Sequence, residues 1–252
     1  MKNESYRPPE SAENRSLSLK SKVQGKAGER VYFALKGNVD NYAKVYRESL
    51  QSQIERLQVI KEENESKKSN GEDMGTVIET IDSDIDSLKS QITELDDPKK
   101  VNEFMRRDQN NINSGNGFTA VGGLYGTQRL MEKRTVSDSN EHFVASLKED
   151  HDRIFDSRLE SGQSQFAQED NGELATAQGI GLAALESGDI KTASYGLAFA
   201  ESVKRIDPES QARFDSVFTS LSDPDRTAFE DDYKNLLGKF KDDYKNKSQK
   251  LS

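Results

Sequence analysis

Residues 74–95 read MGTVIETIDSDIDSLKSQITEL. Apolar side chains fall at Met74, Ile78, Ile81, Ile85, Leu88, Ile92 and Leu95, in alternating steps of four and three. That is an unbroken heptad seam, with Glu79, Asp82, Asp84, Asp86, Lys89 and Glu94 between. So narrow a stripe suits a helix that docks on another helix in coiled-coil fashion. Upstream, Ala43, Tyr46, Leu50, Gln53, Leu57 and Ile60 repeat the spacing, with Gln53 the polar exception, either fixing register or lying at the seam's edge. The polar run Glu62–Asp73, containing Lys67-Lys68-Ser69-Asn70-Gly71, separates the two. Two matching seams around a polar turn predict an antiparallel hairpin over 39–61 and 74–95, about 35 Å long at 1.5 Å per residue.

The rest of the chain is also read as helix, so the expected fold class is all-α. It comprises an elongated antiparallel coiled-coil hairpin, a C-terminal helical bundle and a disordered N-terminal tail. Residues 1–28 are polar, carry Pro8-Pro9 and show no apolar period, which predicts disorder. Val31-Tyr32-Phe33-Ala34-Leu35 is then an apolar patch, read as the start of the first helix, a short covering strand, or a docking segment. Asp97-Pro98, Asp207-Pro208 and Asp223-Pro224 each place an N-capping carboxylate before a proline that suits the first helical turn, so all three are read as helix starts. The helix from Pro98 to about Ile112 would turn Val101, Phe104, Met105 and Ile112 inward.

Asn110–Thr127 holds five glycines and four asparagines, each glycine costing about 1 kcal/mol inside a helix. The division is therefore tail 1–28, hairpin with following helix 29–112, hinge 113–127 and bundle 128–252. The bundle is read as a helix from near Leu124, then one opened by an Asp138/Glu141 capping box, then helices at about 171–187, 190–206, 208–221 and 224–247. In the last, Phe229, Tyr233, Leu236, Leu237, Phe240 and Tyr244 form one stripe. Around Gly188-Asp189, the positions Gly181, Ala193, Leu197 and Ala200, with Asp207-Pro208 as closing turn, resemble a tetratricopeptide hairpin. The Trp and Tyr positions of that family are absent, and no second copy follows at the 34-residue period. The resemblance implies a helical hairpin and carries no binding residues.

Composition bears on function. Hydrophobic and charged residues each make up 32%, and mean hydropathy is −0.90. The apolar share is well below the roughly 45–50% of a typical globular domain, a figure that also counts glycine, so thin bundles fit better than one thick core. The net charge of −9 and the short, interrupted basic runs Lys99-Lys100 and Arg106-Arg107 oppose phosphate neutralisation, so no nucleic acid is expected as partner. With no cysteine there is no disulfide or thiolate site. No Sec-type leader follows Met1-Lys2, and no apolar run approaches the roughly 20 residues of a membrane span. The expected location is the cytoplasm, or outside the cell by a non-Sec route.

Motifs for chemistry are sparse. His142 and His151 lie nine residues apart on one predicted helix, about 180° around it. Asp82-Ser83-Asp84-Ile85-Asp86 opens like a calcium loop, but Ser87 and Thr93 stand where Gly and Glu are required. Glu149-Asp150-His151-Asp152 points its side chains in different directions on a helix. Gly122-Gly123-Leu124-Tyr125-Gly126-Thr127 lacks the Lys-Ser/Thr of a phosphate loop. No catalytic residue, metal ligand or cofactor is therefore assigned.

The expected function is non-enzymatic: a structural or adaptor protein that binds a protein partner, or itself, through apolar helix faces. The residues assigned to that role are Ile78, Ile81, Ile85, Leu88 and Ile92 on the hairpin, and Phe118, Val121, Leu124 and Tyr125 beside the glycines. The alternative is a microbial exported or virion-associated helical protein, because a polar start followed by coiled-coil segments resembles type III export substrates in composition. An enzyme with an acidic site ranks below both.

Overall fold

The computed structural model describes residues 12–113, 140–160, 172–203 and 208–249. These form helices α1 (Ala12–Lys36), α2 (Val39–Ser69), α3 (Gly75–Glu94), α4 (Pro98–Asn113), α5 (Asn140–Glu160), α6 (Gly172–Glu186), α7 (Ile190–Val203), α8 (Pro208–Ser220) and α9 (Asp223–Gln249). No strand occurs among the described residues. The fold is all-α.

Local chemistry sets the helix ends. Gly37 takes φ of 67°, and the amides of Gly37 and Asn38 close back on the Ala34 and Phe33 carbonyls at 3.1 and 3.0 Å. This is the double bond by which a left-handed glycine ends a helix. Asn38 then opens α2 by accepting from the Asn41 amide at 3.1 Å. Gly188, with φ of 72°, repeats the device between α6 and α7, where Asp189 N–H reaches the Ala184 carbonyl at 2.9 Å. Asp97 accepts from the Lys99 amide at 2.9 Å, capping α4 as its sequence predicts. At the third Asp-Pro pair the cap lies one residue earlier than expected. The Ser222 hydroxyl accepts from the Asp225 amide at 3.3 Å, so Asp223 is already helical.

Two expectations are corrected. The tail assigned to residues 1–28 is helix from Ala12 onward, while residues 1–11 lie outside the described residues. The polarity of residues 12–28 hid a buried face built on Val23, Ala27 and Gly28, whose small side chains make no conspicuous period. The Val31–Ala34 patch lies in the last turns of this same helix, almost fully buried. The polar turn expected at 62–73 is much shorter, because α2 continues through Lys67 and Lys68 to Ser69. At 31 residues it is about 46 Å long. Asn113 closes α4, and the rest of the predicted hinge, the helix from Leu124 and the Asp138 cap lie outside the described residues.

α1 and α2 are antiparallel, joined midway by Lys26–Glu48 at 2.7 Å. α3 returns along the other side of α2, as Lys61–Asp82 and Arg47–Asp96, both 2.6 Å, require. α6 runs beside α1 in the same direction, with Gly28 against Thr176 near its start and Lys36 against Asp189 beyond its end. α6 and α7 form the helical hairpin that the tetratricopeptide resemblance implies, with Gly181 against Ala193 and Leu197. α9 runs back along α7 through Tyr195–Phe240 and a Tyr233–Glu201 hydrogen bond. α5 joins through Tyr244–Asp152 at 2.7 Å and Lys247–Asp156 at 3.0 Å.

The centre is α6. Most of its residues, from Gly172 to Leu185, are buried, because α1 and α7 cover opposite sides of it. One main core runs through α1, α2, α4, α5, α6, α7 and α9, and a small second core lies between α2 and α3. Among the described residues no helix is long and apolar enough to cross a membrane.

Candidate functional site: the helical arm

The distal half of α2 and the length of α3 form an arm with its own small core. Ile54, Ile81 and Ile85 are buried there, and Leu57, Ile60, Leu88 and Ile92 are packed around them but partly open. The reason is geometric. α3 has α2 as its principal neighbour, and a heptad seam facing one helix covers only its central positions. Ile78, Leu88 and Ile92 stay half-buried along the edge, and Val77 is 45% exposed at the start of α3. Thr76, Glu79, Asp82, Ser83, Asp86 and Ser87 face solvent. The arm's ion pairs are open to water, which screens them.

The five hairpin residues assigned to an interaction thus divide. Ile81 and Ile85 close on α2 of their own chain, Leu88 and Ile92 are partly open where they pack against both the arm's core and the main core, and Ile78 is half-open and belongs to neither. Phe118, Val121, Leu124 and Tyr125 lie outside the described residues.

The base of the arm is held by a buried polar joint. Arg30 of α1, 1% exposed, lies with Nε 2.9 Å from the carboxylate of Asp108 in α4. The Tyr42 hydroxyl of α2 donates to the same carboxylate at 2.5 Å. The guanidinium sits 3.8 Å over the Tyr46 ring, and Tyr46 donates to Gln91 of α3 at 3.4 Å. Burial by itself would lower the Arg30 pKa, but the charge of Asp108 and the Tyr42 and Tyr46 hydroxyls more than reverse this, leaving it raised. Burial foremost, with Asp108 assisting against the opposing pull of Arg30, pushes the Tyr42 hydroxyl well above its usual range. Tyr42 is therefore protonated at neutral pH and serves as a donor. The arrangement supplies cohesion between α1, α2 and α4. Arg30 and Asp108 are 78 positions apart and Tyr42 and Asp108 are 66 apart, and no motif announces them.

Elsewhere among the described residues no large apolar side chain is fully exposed. A shallow cleft of about 220 Å³ between α1 and α2 is lined by polar side chains such as Arg15, Glu55 and Glu62 around the apolar Leu19 and Val59. Among the described residues no group of three or more His, Cys, Asp or Glu could hold a metal ion. Asp82 and Asp86 are exposed and engage Lys61 and Lys89 on helix surfaces, far from the geometry of a calcium loop. His151 is buried among the rings of Phe155, Phe199 and Tyr244. Asp152 beside it accepts from Tyr244 and pairs with Lys148 at 2.7 Å.

Comparison with protein families, curated proteins and solved structures finds no match to this chain.

Proposed function

We propose that this protein is a non-enzymatic adaptor that binds a partner protein through the edge of the α2–α3 arm. The observation that carries this reading is the unfinished packing of α3. Its seam buries Ile81 and Ile85 but leaves Ile78, Leu88 and Ile92 half-open, with Val77 outward beside them. Two-helix pairs bury little apolar surface, and a third helix laid along that edge would complete the packing. The helix also states the partner's charge. α3 carries Glu79, Asp82, Asp84, Asp86 and Glu94 against Lys89 alone, so an amphipathic helix with basic flanks is the complementary shape.

The test uses the whole chain. Removing residues 39–95 would take Tyr42 and Tyr46 from the Arg30–Asp108 joint and so disturb far more than the arm. The paired substitution Met74→Glu with Ile78→Glu changes two half-open positions that belong to neither core and leaves position 77 free for a probe. A photoreactive side chain at Val77 should crosslink to a partner in native lysate, and the paired variant should lose it while keeping wild-type helicity. Sedimentation separates a foreign partner from a second copy. Retention of every partner and of the oligomeric state by the paired variant would refute the arm as the binding surface.

A further inference from the structure

α8 differs from every other helix in how it is attached. Among its residues from Glu209 to Ser220 none is buried, whereas α6 beneath it is buried over most of its length. Its apolar side chains Phe214, Val217 and Phe218 are each half-exposed against the main core, and the two phenyl rings touch each other and Phe229 of α9. Its polar attachment is concentrated in one side chain. Arg213 donates from Nη1 and Nη2 to Glu29 of α1 at 2.7 and 3.0 Å, and from Nε and Nη2 to Glu186 of α6 at 2.6 and 2.8 Å. Other polar contacts accompany it, among them Gln178 to Ser210 at 2.6 Å and Lys22 to Glu209 at 3.6 Å.

The fork belongs to a longer chain of charge. Lys26 lies 3.1 Å from Glu29 and 2.7 Å from Glu48, so alternating signs run Glu48, Lys26, Glu29, Arg213, Glu186 across α2, α1, α8 and α6. Glu29 is nearly enclosed, with its side chain 4% exposed, while those of Arg213 and Glu186 are 27% and 35% exposed. Water and salt therefore reach the outer half of the fork first. At the far end of α8, Arg226 donates to the carbonyls of Thr219 and Leu221 at 3.2 and 3.1 Å, fixing a pivot against α9.

We propose that α8 is a releasable strap, latched to the body by Arg213 and pivoting at the α8–α9 turn, whose opening uncovers the Phe214–Phe218–Phe229 face. The proposal stands independently of the arm's function. A helix without a fully buried residue is held by partial apolar burial only, so the ionic fork weighs heavily in its docking. Segments of that kind open at free energies far below global unfolding. Screening shortens from roughly 10 Å at 0.1 M salt to about 3 Å at 1 M, which weakens the fork and leaves the apolar centre intact or strengthened.

Hydrogen exchange resolved along the chain reads this directly. In the wild-type protein, α8 amides should exchange at least tenfold faster at about 1 M than at about 0.05 M sodium chloride, with α6 and α7 unchanged. Arg213→Ala should show the fast exchange already at low salt. Arg213→Lys should be intermediate, because an ammonium lacks the planar fork that engages two carboxylates at once. The chain has no cysteine, so Gln178→Cys with Ser210→Cys, bridged by a short bifunctional thiol reagent that spans the length of the glutamine, yields one defined crosslink, which should abolish the salt response once formed. Equal protection of α8, α6 and α7 in the wild type at both salt concentrations would overturn the proposal, whether or not the Arg213 variants fold. So would a salt response that survives the crosslink.

Discussion

At the centre of the molecule a methyl group added to Gly179 of α6 would lie 1.9 Å from the Gly25 carbonyl of α1, and one added to Gly28 would lie 2.1 Å from the Thr176 carbonyl. In the arm, Ile54, Ile81 and Ile85 hold α2 and α3 together through side chains, with a half-open margin around them. Both are helix pairs. In the first the backbones are nearly in contact, so a small area is packed on all sides and nothing can yield. In the second the side chains set the distance, and each can shift toward solvent. Small residues therefore make a rigid hub, and a heptad seam makes an adjustable limb.

Alkali should separate the two most sharply. Tyr32, Tyr42, Tyr233 and Tyr244 all lie in the body, and residues 51–95 contain no tyrosine. Burial is the leading cause that raises each of them above the ordinary value of 10.0, Tyr32 to about 12. The folded state thus holds these protons more tightly than the unfolded chain. That contribution to stability is complete below pH 10 and lost as pH rises through the folded values. Absorbance at the phenolate band, free of tryptophan background, should show part of the eight tyrosines ionising only together with cooperative loss of helix. Free titration of all eight near pH 10, without unfolding, would contradict the buried body.

Substitutions grade the comparison further. Gly179→Ala should destabilise by about 3 kcal/mol, the top of the usual overpacking range, because the opposing atom is backbone. Thermal melting should fall by roughly 2–4 °C per kcal/mol for a chain of this size. Ile85→Ala should remove about 2 kcal/mol, the low end for a buried isoleucine, since the margin of the arm can close over the gap. Its hydrogen exchange should quicken in α3 while α6 stays protected. Loss of protection in both together would show that arm and hub form one cooperative unit. Smallest of all, Gly238→Ala in α9 meets nothing within 4 Å and should stabilise by about 0.8 kcal/mol through helix propensity alone. A drop of the Gly179 size there would remove close approach as the explanation for the hub.

Much of this was legible in the chain. Ile78 through Ile92 announced α3 and its partner because a seam is a local, periodic signal. Asp97-Pro98 marked the start of α4 because capping involves only neighbours. The accessible edge of the arm was legible only as part of that seam, since which seam residues face water depends on how many helices surround α3. Residues 12–28 misled because Gly25, Ala27 and Gly28 carry almost no side chain, and a face of small residues looks like none.

What the sequence determined by itself is the inventory: helices, their approximate ends, an antiparallel pair at the arm and a shortage of reactive groups. Each follows from period, capping or composition, which act over a few residues. The tertiary structure alone decided that α1 is a central helix, that Arg30 is neutralised by Asp108, and that Arg213 reaches Glu29 across 184 positions of chain. Such pairings carry no local signature. Close approach of backbones selects glycine at two distant places at once, and a buried charge is tolerable only beside a partner that folding alone delivers.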